Sequence, residues 1–231
     1  MLILAIDTAL DACAAAVLDT DASKIVAQES QPMKRGHAEA LMPLIARVMK
    51  ASGVGFAALD RIAVTTGPGS FTGLRVGLSA ARGIALAAGK PVVGLTTLAA
   101  YAAPIVTDNG EHPIISAIDA RHDHVYFQIV AGDGSQLVRP KVASIDEAIA
   151  ASQFGAPHLV GNAANILAER WPKHGPQPVA VDAQPAPDIG WVAWLGAAAN
   201  PETNPARPFY LKAPDAKPAA QPPLAAQAAT S

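Results

Sequence analysis

The feature that most constrains the fold is a weak internal repeat. The stretch ILAIDTALDACAAAVL, which begins at Ile3, aligns with ISAIDARHDHVYFQIV, which begins at Ile115, and five of the sixteen positions are identical. Both copies read as an apolar strand, an aspartate, a polar turn and a second apolar strand. A chain that restarts its opening hairpin in this way is expected to be a duplicated fold with two stacked lobes.

The first copy continues into alternating strands and helices. Apolar and β-branched runs predict strands over residues 2–8, 14–19, 24–30, 61–66 and 91–96, and helical spacing predicts helices over residues 36–52 and 74–88. Glycines follow both helices and are typical C-caps. We therefore predict an α/β fold whose first lobe contains a mixed five-stranded sheet with helices packed on it.

The domain organisation follows from the repeat. We predict a first lobe over residues 1–103 and a second, smaller lobe over residues 104–212. The second half predicts a strand near Leu159 and helices over 162–171 and 188–199, the last of which could pack back on the first lobe. Residues 213–231 contain repeated prolines and almost nothing bulky to bury, so we predict a disordered tail.

Composition and charge exclude several classes of protein. Apolar residues make up 51% of the chain and charged residues 16%, yet no run reaches the roughly 18 apolar residues of a membrane span. Asp7 interrupts the N-terminal apolar run, which argues against a signal peptide. The single cysteine, Cys13, is expected to be a core residue in a reducing cytoplasm. A net charge of −2 provides no basic field for binding nucleic acid alone.

The stretch TTGPGSFTGLRVG over residues 65–77 contains a glycine loop. A phosphate-binding P-loop needs Lys and Ser or Thr after its last glycine, but Leu74 and Arg75 follow here. The glycine spacing also leaves one residue too many for a dinucleotide fingerprint. The loop is therefore interpreted as structural, although a helix N-terminus could still attract an anion. It comprises Gly67, Pro68, Gly69, Ser70, Phe71, Thr72 and Gly73.

The helix after this loop carries unusually little polar surface. Only Arg75, Ser79 and Arg82 stand out among apolar residues and glycines. Gly73, Gly77 and Ala81 recur four apart, a spacing that lets another backbone approach closely. Two explanations remain open: the helix is buried in the chain's own core, or it forms an apolar face for a second protein together with the helix over 36–52.

Two aspartates and two histidines are candidate ligands. Asp7 and Asp119 end the first strand of each copy, where a nucleotide-hydrolysing fold would hold magnesium through water. Neither is followed by a glycine that could close on a phosphate, so capping of the hairpin turn is the favoured role. His122 and His124 lack further ligands at metal-binding spacing. No cofactor or metal is expected.

Several stretches together resemble the bacterial TsaB (YeaZ) family. They are ILAIDTA, HAEALMPLI, RIAVTTGPGSFTGLRVG, ARGIALAAGKPVVGLTTLAAYA, DARHDHVYF and PFYLK. The most specific of them is GPGSFTGLR, and the resemblance extends from residue 1 to about Lys212. It implies a two-lobed ASKHA (actin/Hsp70/RNase H-like) fold.

The resemblance also implies a function. Members of this family are non-catalytic partners of TsaD, with TsaE as a third component, in attaching threonylcarbamoyl to the adenosine beside the anticodon of certain tRNAs. This chain is then expected not to be an enzyme, to meet tRNA only through the complex, and to pair with a copy of itself when alone. The paralogue TsaD carries a metal-binding His pair at the places of Thr97 and Tyr101, which do not replace imidazole.

The resemblance further implies that the two helices of the first lobe meet TsaD. The residues expected at that interface are His37, Leu41, Leu44, Ile45, Val48, Arg75, Gly77, Leu78, Ala81 and Arg82. Two rival functions remain: an autonomous nucleotide-hydrolysing enzyme, which would use Asp7 and Asp119, and a metallopeptidase, which follows only from an older label of the wider superfamily.

Overall fold

The computed structural model describes residues 1–107 and 110–212, and its first half forms a five-stranded sheet. The strands are β1 (Leu2–Asp7), β2 (Ala12–Asp19), β3 (Lys24–Pro32), β4 (Arg61–Gly67) and β5 (Val92–Thr96). Their order is β3-β2-β1-β4-β5. The first three pair antiparallel, and β4 and β5 continue parallel to β1. The predicted mixed sheet is confirmed.

The second half repeats this topology. Its strands are β6 (Ile114–Arg121), β7 (His124–Val130), β8 (Gln136–Ser144), β9 (His158–Val160) and β10 (Ala180–Asp182). Their order is β10-β9-β6-β7-β8, with two antiparallel and two parallel pairings that match the first sheet. Each sheet thus opens with a three-stranded meander and adds two parallel strands. The fold is the predicted two-lobed ASKHA duplication.

Six α-helices connect the strands in the described residues. They are α1 (His37–Ser52), α2 (Phe71–Ala88), α3 (Thr97–Ala102), α4 (Ile145–Ile149), α5 (Ala164–Glu169) and α6 (Ile189–Ala198). Helices α1 and α2 end at Gly53 and Gly89, as predicted. Helix α2 begins at Phe71 rather than at residue 74, because the Ser70 side chain accepts a hydrogen bond from the Gly73 N–H at 3.3 Å.

The first sheet is covered on both faces. Leu4 and Ile6 belong to the core beneath α1 and α2, whereas Ile3 and Ala5 belong to the core beneath α6. All four side chains are fully buried. Burial on both faces explains why β1 and β2 are continuous apolar runs without the polar alternation of a half-exposed strand.

Helix α6 is tied to the first sheet by Arg61. One guanidinium nitrogen, Nη1, donates to the carbonyl oxygens of Gly196 at 2.8 Å, Ala197 at 3.1 Å and Ala199 at 2.6 Å. A cation at a helix C-terminus also interacts favourably with the helix dipole. The chain then runs beside β5, where the Gly94 N–H donates to the Asn204 carbonyl at 2.9 Å.

Two sequence-based predictions, the domain boundary and the disordered tail, stay predictions. The division of the chain between residues 103 and 104 remains a prediction, and the predicted disordered tail over 213–231 lies outside the described residues. Within the described ranges, no helix combines the length and hydropathy that crossing a membrane requires.

Candidate partner interface and sealed glycine loop

The glycine loop packs directly on the turn between β1 and β2. The Ser70 N–H donates to the Ala9 carbonyl at 2.7 Å, and the Thr8 hydroxyl donates to the Gly73 carbonyl at 2.7 Å. A Cβ at Gly69 would overlap the Ala9 carbonyl, and one at Gly73 would overlap the Thr8 carbonyl. The glycines therefore permit the chain's own backbone to fill the space that a phosphate-binding loop would leave open. This contact supports the structural interpretation of the loop.

The stripe of small residues on α2 faces the chain's own first lobe. A Cβ at Gly77 would lie 2.5 Å from the Thr8 hydroxyl oxygen, and Ala81 is fully buried in the core beneath α1 and α2. Close backbone approach does occur here, but the approaching segment is the β1–β2 turn. Of the two explanations, the structure favours burial in the chain's own core for Gly77 and Ala81.

Most of the predicted interface residues are buried in the protein itself. Those with little or no exposure are His37, Leu41, Leu44, Ile45, Val48, Gly77, Leu78 and Ala81. Apart from Leu41, which also borders the outward side of α1, they present little surface to a partner because they are buried within the chain. Arg82 is also engaged, since its guanidinium donates to the Ala206 carbonyl. The predicted use of α1 and α2 as a partner interface stays a prediction; of its residues, Leu41 and Arg75 border the outward side of these helices.

The outward faces of the same helices form a shallow apolar depression, which we call the α1–α2 groove. It encloses about 540 Å³. Met42 on α1 is 50% exposed, and Phe71 at the start of α2 is 41% exposed. Large apolar side chains exposed side by side on neighbouring helices are typical of protein interfaces. The groove is lined by Ala38, Leu41, Met42, Phe71, Thr72, Arg75, Val76, Ser79 and Ala80.

One end of the α1–α2 groove is built from aromatic rings and a cation. The Arg75 guanidinium carbon lies 3.8 Å from the centroid of the Phe71 ring, within the range of a cation–π interaction. The Phe71 and Tyr210 ring centroids are 5.5 Å apart. Arginine and aromatic residues dominate the binding energy of many interfaces. Sequence reasoning missed Tyr210, because no local pattern links it to a helix so far away in the chain.

Asp7 and Asp119 cap equivalent turns. Asp7 is fully buried, and its Oδ1 accepts from the Ala9 N–H at 3.0 Å and from the Thr65 hydroxyl. Asp119 is exposed, and its Oδ1 accepts from the Arg121 N–H at 2.7 Å. Burial raises the pKa of Asp7 above its usual value, although both hydrogen bonds act to lower it. These contacts support the predicted capping role for both aspartates.

A cleft of about 600 Å³ opens between the lobes, but its chemistry does not fit a nucleotide. Four carboxylates line it: Asp11, Glu29, Asp182 and Asp188. Among the described residues, no Lys, Arg or His lines this acidic cleft. Glu29 is paired with Arg47 at 2.7 Å, and the other three carboxylates face the cleft without a cation in its lining. Like charges repel, so phosphate groups are disfavoured there.

The residues considered as metal ligands or nucleophiles are buried or make hydrogen bonds within the chain. Thr97 and Tyr101 are buried on α3, and the Tyr101 hydroxyl donates to the Gln184 carbonyl at 2.9 Å. The His124 ring nitrogen Nδ1 lies 2.7 Å from the His122 carbonyl. No group of three His, Cys, Asp or Glu within residues 1–107 and 110–212 could hold a metal. Burial raises the pKa of the Cys13 thiol to about 11, as fits a core residue.

Comparison with known proteins identifies the family. A family model described as TsaD, tRNA N6-adenosine threonylcarbamoyltransferase, matches residues 24–180. The tRNA threonylcarbamoyladenosine biosynthesis protein TsaB of Haemophilus influenzae is 37% identical over 142 residues, which are 62% of this chain and 56% of that protein. The chain thus spans about half the length of that relative.

Two further proteins match nearly the whole chain. An uncharacterized protein of Mycobacterium tuberculosis is 33% identical over 221 residues, covering 94% of this chain and 95% of that protein. The solved structure of YeaZ from Pseudomonas aeruginosa is 28% identical with a TM-score of 0.72, covering 91% of this chain and 99% of that one. On these comparisons, the chain belongs to the TsaB (YeaZ) family.

Proposed function

We propose that this chain is the non-catalytic subunit of a cytoplasmic complex for tRNA threonylcarbamoyladenosine biosynthesis, and that it binds TsaD through the α1–α2 groove. Relatives named TsaB for that biosynthesis support the process. The observation that carries the binding mode is the groove itself, where Met42 and Phe71 expose apolar surface beside Arg75. Burying such surface against a partner is favourable.

We assign the catalytic chemistry to TsaD because the space beside the glycine loop of this chain is already filled. The chain's own β1–β2 turn occupies the space beside the glycine loop. Phosphate and metal chemistry therefore falls to TsaD, with TsaE as a third component. A net charge of −2 favours reaching tRNA through the complex rather than directly. In the absence of TsaD, two copies of the α1–α2 groove would cover each other in an isologous dimer.

A rival function is autonomous nucleotide hydrolysis. The duplicated ASKHA topology favours it, because folds of this type can bind ligands between their lobes. The acidic cleft disfavours it, since a nucleotide would bring its negative charges among four carboxylates. We therefore favour the subunit role.

The test is a reconstituted reaction with TsaD and TsaE of the same organism and unmodified tRNA. Product nucleoside is measured by mass spectrometry at a limiting concentration of this chain. Met42→Glu places a charge in the groove and is expected to weaken TsaD binding at least about 30-fold, so that product falls accordingly. Leu86→Glu is the matched control, because Leu86 is 86% exposed on α2 and does not line the groove.

Both variants alter exposed side chains, so both should fold, and circular dichroism checks this. Substitutions at Gly77 or Ala81 are unsuitable, because both residues are buried. Product at the wild-type level with Met42→Glu would refute the binding mode. Product formed by this chain without TsaD would refute the subunit role.

A further inference from the structure

A second cavity, which we call the Trp pocket, lies between the two lobes and has no role in the proposed function. It encloses about 390 Å³, within the usual range for small-molecule sites of about 300–1,000 Å³. Trp191 lines both this pocket and the acidic cleft and so stands between them. The lining comes from α3 and the segment after it, from β7 and the turn after it, and from α6, and it includes Gln128, Trp191, Trp194 and Leu195.

Helix α6 is apolar on two sides, and the second side is only partly covered: Trp194 and Leu195 are partly buried against the first-sheet core. Ile189, Val192 and Ala193 are buried against the first sheet. Trp191, Trp194 and Leu195 follow the i, i+3, i+4 spacing that brings side chains together on one helix face, and they line the Trp pocket. Trp191 remains 39% exposed. The pocket therefore offers indole surface that the fold leaves open.

The polar feature of the Trp pocket is the amide of Gln128. This side chain lines the pocket, and the residue is only 5% exposed. The structure gives the Gln128 amide no hydrogen-bond partner within residues 1–107 and 110–212. Its partner across the β6–β7 ladder, Ser116, is fully buried, and the Ser116 hydroxyl also has no partner in those ranges. The Gln128 amide is not among the fully buried polar atoms, so it is open to the pocket and its donor and acceptor are available to a ligand.

The backbone explains how a glutamine reaches this position. The β7–β8 pairing shifts register between Phe127 and Ile129, so Gln128 sits at an irregularity of the ladder. The extra residue of this irregularity lies on β8, and Gln128 stays in regular register with Ser116 on β6. Phe127 and Ile129 belong to the core of the second lobe, and Gln128 lies on the opposite face of the sheet.

We infer that the Trp pocket binds an uncharged planar heteroaromatic ring of the nucleobase class, with adenine as the best match. Indole rings are stacking surfaces for a base. A glutamine amide pairs with the adjacent donor and acceptor of adenine. No described residue with a charged side chain lines the pocket, so a free base or nucleoside fits and a phosphate does not.

The binding test is titration of the full chain with adenosine, followed by tryptophan fluorescence. Trp191 and Trp194 should be quenched as the pocket fills. Trp171 supplies a constant background, because it is 7% exposed and its indole N–H donates to the Pro176 carbonyl at 2.9 Å. We expect saturable quenching and a higher thermal unfolding temperature at saturating adenosine.

The matched variants are Gln128→Leu and Gln153→Leu. The first keeps a side chain of similar size but removes donor and acceptor, and it should fold because leucine is apolar and suits a position that is only 5% exposed. It is expected to bind adenosine at least about 10-fold more weakly. The second makes the same change at an exposed position outside the pocket and should bind as wild type does. The inference is overturned if quenching does not saturate up to about 10 mM adenosine, or if Gln128→Leu binds as tightly as wild type.

Discussion

The opening hairpin of each half of the chain carries a capping aspartate, and the two aspartates differ in solvent exposure. In each, an aspartate at the end of the first strand accepts a hydrogen bond from the N–H two residues later, Asp7 from Ala9 and Asp119 from Arg121. Asp7 is fully buried and Asp119 is exposed. The aspartate cap thus occurs in both hairpins, whereas the first turn spans residues 8–11 and the second only residues 122–123.

The cause of the difference in exposure lies in the connections that follow the parallel strands. After β4, the glycine loop packs on the first turn through two hydrogen bonds, Ser70 N–H to the Ala9 carbonyl and the Thr8 hydroxyl to the Gly73 carbonyl. After β9, Gly161 approaches the second hairpin at the Ala117 carbonyl, and the Asp119 turn stays open. A local motif can therefore persist while a distant segment decides whether it is available for chemistry.

The largest expected effect comes from disrupting the contact between the glycine loop and the first turn. Gly73→Ala would drive a Cβ into the Thr8 carbonyl, and because the neighbour is backbone we expect a loss of about 3 kcal/mol in the free energy of unfolding. Gly83→Ala in the same helix meets nothing within 4 Å and should stabilise by about 0.5–1 kcal/mol. Urea unfolding measures both. Equal midpoints for Gly73→Ala and wild type would contradict the contact.

The next effect compares the two aspartates directly. Asp7→Ala leaves the Thr65 hydroxyl and the Ala9 N–H without their acceptor in the core, which should cost about 2–3 kcal/mol. Asp119→Ala removes an exposed acceptor whose donor can turn to water, so the loss should stay below about 1 kcal/mol. The same urea titrations test this. Similar losses for the two variants would show that burial is not what separates the hairpins.

A smaller effect concerns pH. Burial raises the pKa of Asp7 above the unfolded value of 3.8, so the folded state favours the protonated form. The stability that this contributes is fully present below pH 3.8 and is lost as pH rises through the folded pKa. Asp7→Asn keeps an acceptor and cannot ionise. Its free energy of unfolding relative to that of wild type should therefore increase as pH rises from 3.8 through the folded pKa of Asp7. Thermal unfolding at several pH values measures the difference, with Asp119→Asn as the exposed control.

The smallest effect concerns two serine caps, one at the start of a helix in each half of the chain. Ser70 accepts from the Gly73 N–H at the start of α2, and Ser144 accepts from the Glu147 N–H at the start of α4. Replacing either serine by alanine should cost about 1 kcal/mol. A negligible loss for Ser70→Ala would indicate that the β1–β2 turn alone positions the glycine loop. Differential scanning calorimetry resolves changes of this size.

Much of the fold could be predicted because its signals are local. The runs of β1 and β2 are apolar at every buried position except Asp7. Gly53, Gly89 and Ser70 mark helix ends by their own backbone or side-chain chemistry. The repeat indicated the second lobe, because both copies keep the residues that build a strand and its capped turn.

The interface could not be predicted at the level of faces. Helices α1 and α2 carry apolar residues on both sides, and the sequence does not say whether Leu44 or Met42 faces the sheet. The structure resolves this, since Leu44 is fully buried and Met42 is half exposed. The Phe71–Tyr210 contact and the Trp pocket are equally invisible in the sequence, because they join segments far apart in the chain.

The central claim is that the outward face of α1 and α2 binds TsaD, and isothermal titration calorimetry tests it most directly. TsaD of the same organism is titrated into wild type, into Met42→Glu in the first lobe and into Leu137→Glu, which alters a 43% exposed side chain on β8 in the second lobe. We expect Leu137→Glu to bind as wild type does and Met42→Glu to bind at least about 30-fold more weakly. Undiminished binding by Met42→Glu would contradict the account.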